Sequence, residues 1–201
     1  TLRTVLRRTR ELYRISQTIG SVRTPDEILA ALLTSSYLTT VSRASLAIFT
    51  APFDGDQLPL CEISAAWNKA ADLTLFVGEQ LTLEDIGLLP PYLHDKPIVN
   101  ENVQGKREFP PSVRRRFATL KTHSLIIFPL MARGVWYGVL SLHFKQRRAI
   151  KVDDLRHIRG LVDQTAIAID NIRLLSAEAK ARHEAEDHAG RPHRRRGEAA
   201  A

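Results

Sequence analysis

Residues 124–144 read SLIIFPLMARGVWYGVLSLHF, and apolar or small residues then recur at Leu155, Ile158, Val162, Thr165, Ile169 and Ile172. Two apolar runs separated by Ala132, Arg133 and Gly134 predict a tight hairpin. The later three-and-four spacing predicts a long helix. Leu125 to Phe128 is apolar without alternation, as expected for a central strand covered on both faces. In its partner strand, two-residue alternation assigns Trp136, Leu140, Leu142 and Phe144 to one face and Tyr137, Val139, Ser141 and His143 to the other. The first set is core. The second mixes hydroxyl and imidazole groups with apolar neighbours, the composition of a small-molecule pocket.

The closing helix carries a second stripe, Leu161, Ala168 and Leu175, so one side can pack on the sheet and another on a partner. Each large aliphatic side chain left in water forfeits about 1.5–3 kcal/mol of burial free energy. Residues 1–20 place Leu2, Val5, Thr9, Leu12, Ser16 and Ile19 on a heptad seam that Thr9 and Ser16 weaken. Both terminal helices are therefore expected to meet their counterparts in a parallel homodimer, through Leu2, Val5, Leu12, Ile19, Leu161, Ile169, Ile172 and Leu175.

Between these helices the chain is punctuated clearly at first. Gly20 ends the leading helix, and Thr24, Pro25, Asp26 and Glu27 open a second, expected over 24–41. Ser45–Ala51 and Leu60–Trp67 read as strands joined near Pro52, Asp54 and Gly55. From 68 to 123 the pattern weakens. A short helix is expected from Thr82 toward Leu93, an edge strand over Pro97–Val103, and a helix capped by Ser112 running through Leu120. Such long irregular connections are where ligand specificity is expected to reside.

Composition narrows the function classes. A chain of 201 residues buries one sizeable core. The formal charge of +7 resides at the ends, +4 in residues 1–20 and +3 in 189–201, leaving the middle neutral, so the folded body offers no basic groove suited to nucleic acid. The last thirteen residues lack a core-forming pattern and are expected to be a disordered basic tail. No apolar run approaches bilayer length, so no membrane partner is expected. The single cysteine, Cys61, excludes an internal disulfide and a multi-cysteine zinc site and fits a reducing cytoplasm. The histidines show no metal-ligand spacing, and no catalytic set is identifiable, so an enzyme is not expected.

Phe128, Pro129 and Leu130, the turn at 132–134, Trp136 to Leu140, and then Asp153, Asp154, Leu155, Gln164, Ala166 to Ile169 and Asn171 resemble the last hairpin and closing helix of GAF domains. With the leading helix and first hairpin, the likeness covers about residues 1–178. It implies an α+β, GAF/PAS-like fold: a central antiparallel sheet of five or six strands, helices on both faces, and long N- and C-terminal helices. It divides the chain into a connector helix (1–20), a sensor domain (21–150), a closing helix that continues as a signalling and dimerisation helix (151–188), and the tail (189–201). It places a pocket on one sheet face, with His143, Ser141, Leu125 and Ile127 as wall residues and Tyr92, His94 and Trp67 as further candidates.

The resemblance does not name the ligand. Bilin-carrying members hold their chromophore through a cysteine on a loop or helix, whereas Cys61 falls in a strand, which speaks against a covalent bilin. The related methionine sulfoxide reductases need several cysteines. The Asn-Lys-Phe-Asp-Glu pattern of cyclic-nucleotide-binding members is broken, since alanines follow Asn68 and Lys69. The expectation is a noncatalytic, small-molecule-sensing and dimerising part of a cytoplasmic signalling protein, fused to an output domain. Thr1 in place of methionine fits such a fragment. The alternatives are a purely structural dimerisation module without ligand, or the regulatory domain of a DNA-binding transcription regulator.

Overall fold

The computed structural model describes residues 2–51, 53, 59–70, 76–88, 96–147 and 151–189. The elements in chain order are α1 (Leu2–Ser21), α2 (Pro25–Leu33), β1 (Arg43–Phe49), β2 (Cys61–Asn68), β3 (Gln80–Leu81), β4 (Ile98–Asn100), α3 (Pro111–Thr119), β5 (Ser124–Ala132), β6 (Val135–Phe144) and α4 (Val152–Ala189). The strands form one antiparallel sheet in the order β3-β2-β1-β6-β5-β4. The predicted hairpin thus supplies two interior strands, and Ile98–Asn100 is the expected edge.

Two cores lie on opposite sides of this sheet. Leu46, Ile126, Phe128, Leu140 and Leu142 pack against Ile15 and Ile19 of α1, Ile28 and Leu32 of α2, and Ile158, Leu161 and Ile169 of α4. Ala47, Ile63, Leu125, Ile127 and Val139 pack against Val113 and Phe117 of α3 and against Leu83, Ile86 and Leu88 of the segment after β3. Side chains on neighbouring strands alternate between these cores because the pleat has a period of two.

Two bulges break that alternation. In the β5–β6 ladder Leu130 opposes Gly138 and Met131 opposes Trp136, so Tyr137 is the extra residue. Trp136 therefore belongs with Val139 on the α3 side and Tyr137 with Leu140 on the α4 side, the reverse of the simple alternation. Gly138 makes the bulge possible: its φ is +145°, and a Cβ there would stand 2.1 Å from the Ala47 carbonyl oxygen. In β2, Ser64 is extra between Ile63, opposite Ala47, and Ala65, opposite Leu46. This carries Trp67 to the face opposite Ile63.

Three helix expectations change. Thr24 and Glu27 form a complete capping box, yet α2 stops at Leu33. A 3-10 turn follows at Ser36–Leu38, because Glu11 of α1 accepts hydrogen bonds from both the backbone N–H and the hydroxyl of Ser36. α3 starts at Pro111 with Pro110 as its cap residue, so Ser112 lies inside the first turn and caps nothing. Residues 83–87 form turns in place of the helix expected from Thr82. There Thr82 donates through its N–H and hydroxyl to Asp85 (3.0 and 2.7 Å), while Asp85 N–H donates back to Thr82 Oγ1 at 3.2 Å. The Pro52, Asp54 and Gly55 turn and the 189–201 tail lie, but for Ala189, outside the described residues.

Candidate functional site

Strand pairing aligns two transverse rows on the α3 face. One is Asn100, Leu125, His143, Arg43 and Asn68; the next is Ile98, Ile127, Ser141, Ser45 and Ala66. Thus strand pairing brings His143 and Ser141 to one face, with Leu125 and Ile127 directly opposite them. Trp67 is not brought there, because the Ser64 bulge turns it to the other face. Tyr92 and His94 lie outside the described residues.

His143 is fully enclosed, and its Nδ1 sits 3.1 Å from Thr122 Oγ1. Burial pushes its pKa down to about 3, assisted by the positive charges of Arg43 and then Arg116, so the imidazole is neutral at ordinary pH. Beside it the completely buried Arg43 guanidinium donates to the Leu120 carbonyl at the end of α3. A cation there also complements the negative end of the helix dipole. Sequence reading missed Arg43 and Ser45; the signal was a charged and a hydroxyl residue at the start of an otherwise apolar strand.

The roof is made by Phe117 of α3, by Leu120 just after that helix and by Ile86. Gly87, at φ +90°, lets the segment after β3 press close: a Cβ there would stand 2.7 Å from Phe117 Cζ and 3.1 Å from Leu125 Cδ2. At the rim the Arg116 guanidinium makes two 2.9 Å hydrogen bonds to the Glu79 carboxylate, clamping α3 to the residue before β3. The space enclosed next to Ser141, Ser45 and His143 is about 10 Å³, room for one water. Ser141 Oγ is buried there without a protein hydrogen-bond partner. Leu125 and Ile127 belong to the surrounding core without lining this space.

On the opposite face the bulge places Tyr137 against α4. Its hydroxyl donates to Asp170 Oδ1 at 2.5 Å, and burial, then this bond, raises its pKa. Arg133 Nε stands 3.3 Å from Asp170 Oδ2 as an ion pair, and Arg173 donates to the Phe49 carbonyl. Trp136, one residue earlier, lies within the α3-side core and donates to the Gly138 carbonyl at 2.8 Å. One bulge therefore sets two consecutive aromatic residues, Trp136 and Tyr137, on opposite faces of the sheet.

The dimer expectation needs correction at several positions. Ile19, Leu161 and Ile169 are buried inside the single chain, and Leu12 and Ile172 pack on the same core, because α1 and α4 pack on each other and on the sheet. Leu175 is exposed, as are Leu6, Tyr13, Ile167 and Leu174. The side chains of Leu2 and Val5 lie outside the described residues. Beyond Arg173 every described side chain of α4 is exposed, with Lys180–Glu184 and Arg182–Glu186 pairs along it.

Cys61 is buried in β2, and burial pushes its thiol up to about 12, so it is no ready nucleophile. Among the described residues no group of three His, Cys, Asp or Glu side chains converges, and no helix is long and apolar enough to cross a membrane.

The GAF domain model matches residues 24–169, well over half of the chain, and the protein belongs to the GAF domain family. No match occurs among curated proteins. The phycocyanobilin-bound GAF domain from a cyanobacterial phytochrome superposes with a TM-score of 0.64 at 20% identity, covering 83% of this chain and 96% of that one. The GAF domain of a two-component sensor histidine kinase from Bacillus halodurans gives 0.61 at 19%, covering 77% and 99%. The chromophore-binding domain of an unusual bacteriophytochrome from R. palustris gives 0.61 at 8%, covering 84% of this chain; the chain spans 62% of that one. At these identities the likeness is one of fold.

Proposed function

We propose that this chain is a noncatalytic sensory domain of a cytoplasmic signalling protein, which takes a small molecule between α3 and the sheet. The reading is carried by Ser141 Oγ, a buried hydroxyl without a protein partner beneath a roof of one nine-residue helix and a turn segment. A buried polar group left unpaired costs about 1–3 kcal/mol, and a guest that bonds it removes that cost. Because only about 10 Å³ is open, a ligand larger than water has to lift α3 or the 83–88 segment. Occupancy is then coupled to movement of the α3 side, and the Trp136–Tyr137 bulge relays it to α4. Two copies joined along α1 and the exposed part of α4, where Leu174 and Leu175 stand in water, would pass the change to an output domain.

Native mass spectrometry of the purified chain tests both parts. A dimer that retains a small molecule, released by Ser141→Leu, is the expected result. A monomer at high micromolar concentration contradicts the stalk, and a dimer that neither retains nor acquires any small molecule contradicts the sensing. The small space beside Ser141 favours a second reading, a structural dimerisation module, under which the parent and Ser141→Ala are dimers of the same mass and neither retains a small molecule.

A further inference from the structure

α4 changes character at one place. From Ile158 to Ile169 its inward side is aliphatic, with Ile158, Leu161, Val162 and Ile169 buried. The last buried residue is Asp170; Ile172 and Arg173 are half-buried, and every described side chain from Leu174 onward is exposed. A carboxylate thus stands where the helix leaves the body, and a buried carboxylate has to be paired.

Polar contacts from three parts of the sheet converge there. Tyr137, turned to this face by its bulge, donates to Asp170 Oδ1 at 2.5 Å. Arg133, in the turn between β5 and β6, brings Nε to 3.3 Å from Asp170 Oδ2, a buried oxygen that makes no hydrogen bond of its own. It does so from a φ of +51°, a left-handed conformation that a large side chain adopts under strain. Arg173, three residues after Asp170 on the same helix face, lies 5.5 Å over the Tyr137 ring and donates to the Phe49 carbonyl at the end of β1.

These contacts hold α4 with little apolar area behind them. Detaching residues 170–173 uncovers one aliphatic side chain, Ile172, whereas detaching the turns before them uncovers Ile158, Leu161, Val162 and Ile169. A short stretch held by polar bonds at the margin of a core opens at a lower free energy than the core itself.

We propose that the Asp170–Arg173 cluster is a conformational joint. With Tyr137 and Arg133 engaged, α4 leaves the body along one fixed line; with them disengaged, the helix from Asp170 onward swings free while the core stays folded. A change of angle at the joint is carried along residues 174–189, roughly 24 Å of helix, so the joint governs where the far end of α4 lies. It is defined by its own contacts and does not depend on a ligand beneath α3.

Hydrogen exchange of the full chain, resolved along α4, tests this with Tyr137→Phe, Asp170→Asn and the double variant. Arg159→Gln, which removes the Arg159–Asp163 pair from the same helix, is the control. Amides of residues 170–174 are expected to exchange at least about tenfold faster in Tyr137→Phe and in Asp170→Asn, with those of 158–166 changed by less than about twofold. The double variant should match Asp170→Asn, because both substitutions remove the same bond. Arg133→Gln, at an exposed turn residue, keeps the fold if Asp170→Asn does not, and should raise exchange at 170–174 in the same selective way. Unchanged exchange at 170–174, an equal rise at 158–166, an equal rise at 170–174 in Arg159→Gln, or a double variant that multiplies the two single effects overturns the proposal.

Discussion

The same six strands present two different faces. Toward α1, α2 and α4 the sheet is lined by Leu46, Ile126, Phe128, Leu140 and Leu142, a dry interior held by three helices. Toward α3 it offers Arg43, Ser45, Ser141 and His143 beneath one short helix and a turn segment. The first face obtains its stability from apolar area and tight packing. The second gives up apolar area for polar groups, each of which needs a partner, and one, Ser141 Oγ, has none among protein atoms. One sheet thus combines a side packed by three helices, one of them the long α4, with a side roofed by one short helix and a turn segment.

The largest effect is expected where the two faces meet. In Gly138→Ala the new methyl would stand 2.1 Å from the Ala47 carbonyl oxygen and 2.8 Å from Ile48 Cα, both backbone atoms of the adjoining strand. A loss on the order of 4–5 kcal/mol or failure to fold is expected, read by circular dichroism and urea unfolding; a variant as stable as the parent removes the bulge from the account.

Next comes a matched pair across the sheet. Leu161→Ala, on the helical side, is expected to cost about 2–5 kcal/mol in urea unfolding, because a completely buried residue leaves a cavity. Ser141→Ala, on the α3 side, is expected to change stability by less than about 1 kcal/mol or to raise it, since it removes an unpaired hydroxyl. Equal costs would erase the distinction between the faces.

A pH-dependent difference belongs to His143. Its folded pKa of about 3 lies below the ordinary 6.5, so the unfolded chain binds the proton first as pH falls. The neutral imidazole's contribution is complete above pH 6.5 and is lost progressively between 6.5 and 3, by up to about 1.4 kcal/mol per pH unit. His143→Gln should flatten the stability curve in that window relative to the parent; parallel curves would show that His143 is not held neutral.

The hairpin of β5 and β6, the start of α4 and the edge strand β4 were legible because long apolar runs, a turn at Arg133–Gly134 and Pro97 are local signals. The face assignments of Trp136, Tyr137 and Trp67 were not, since an extra residue reverses the parity of the rest of its strand and leaves little trace in the sequence. Gly138 was the one visible mark. The early end of α2 depends on Glu11, twenty-five residues before Ser36, and no local pattern contains it. His143 and Ser141 stood out as polar residues inside an apolar strand. Arg43, Ser45, Arg116 and Phe117 reach the same place only through pairing and helix docking. Ile19, Leu161 and Ile169 illustrate a related point: periodicity shows that α1 and α4 each have an apolar face, and the fold buries these three residues of it within one chain.

The contrast between a rigid and a yielding face is tested most directly by native-state hydrogen exchange resolved along the chain. Amides of α3 and of residues 83–88 should exchange through a low-energy opening, at least about a hundredfold faster than those of residues 161–169 in α4. Equal protection on both sides of the sheet would contradict the account.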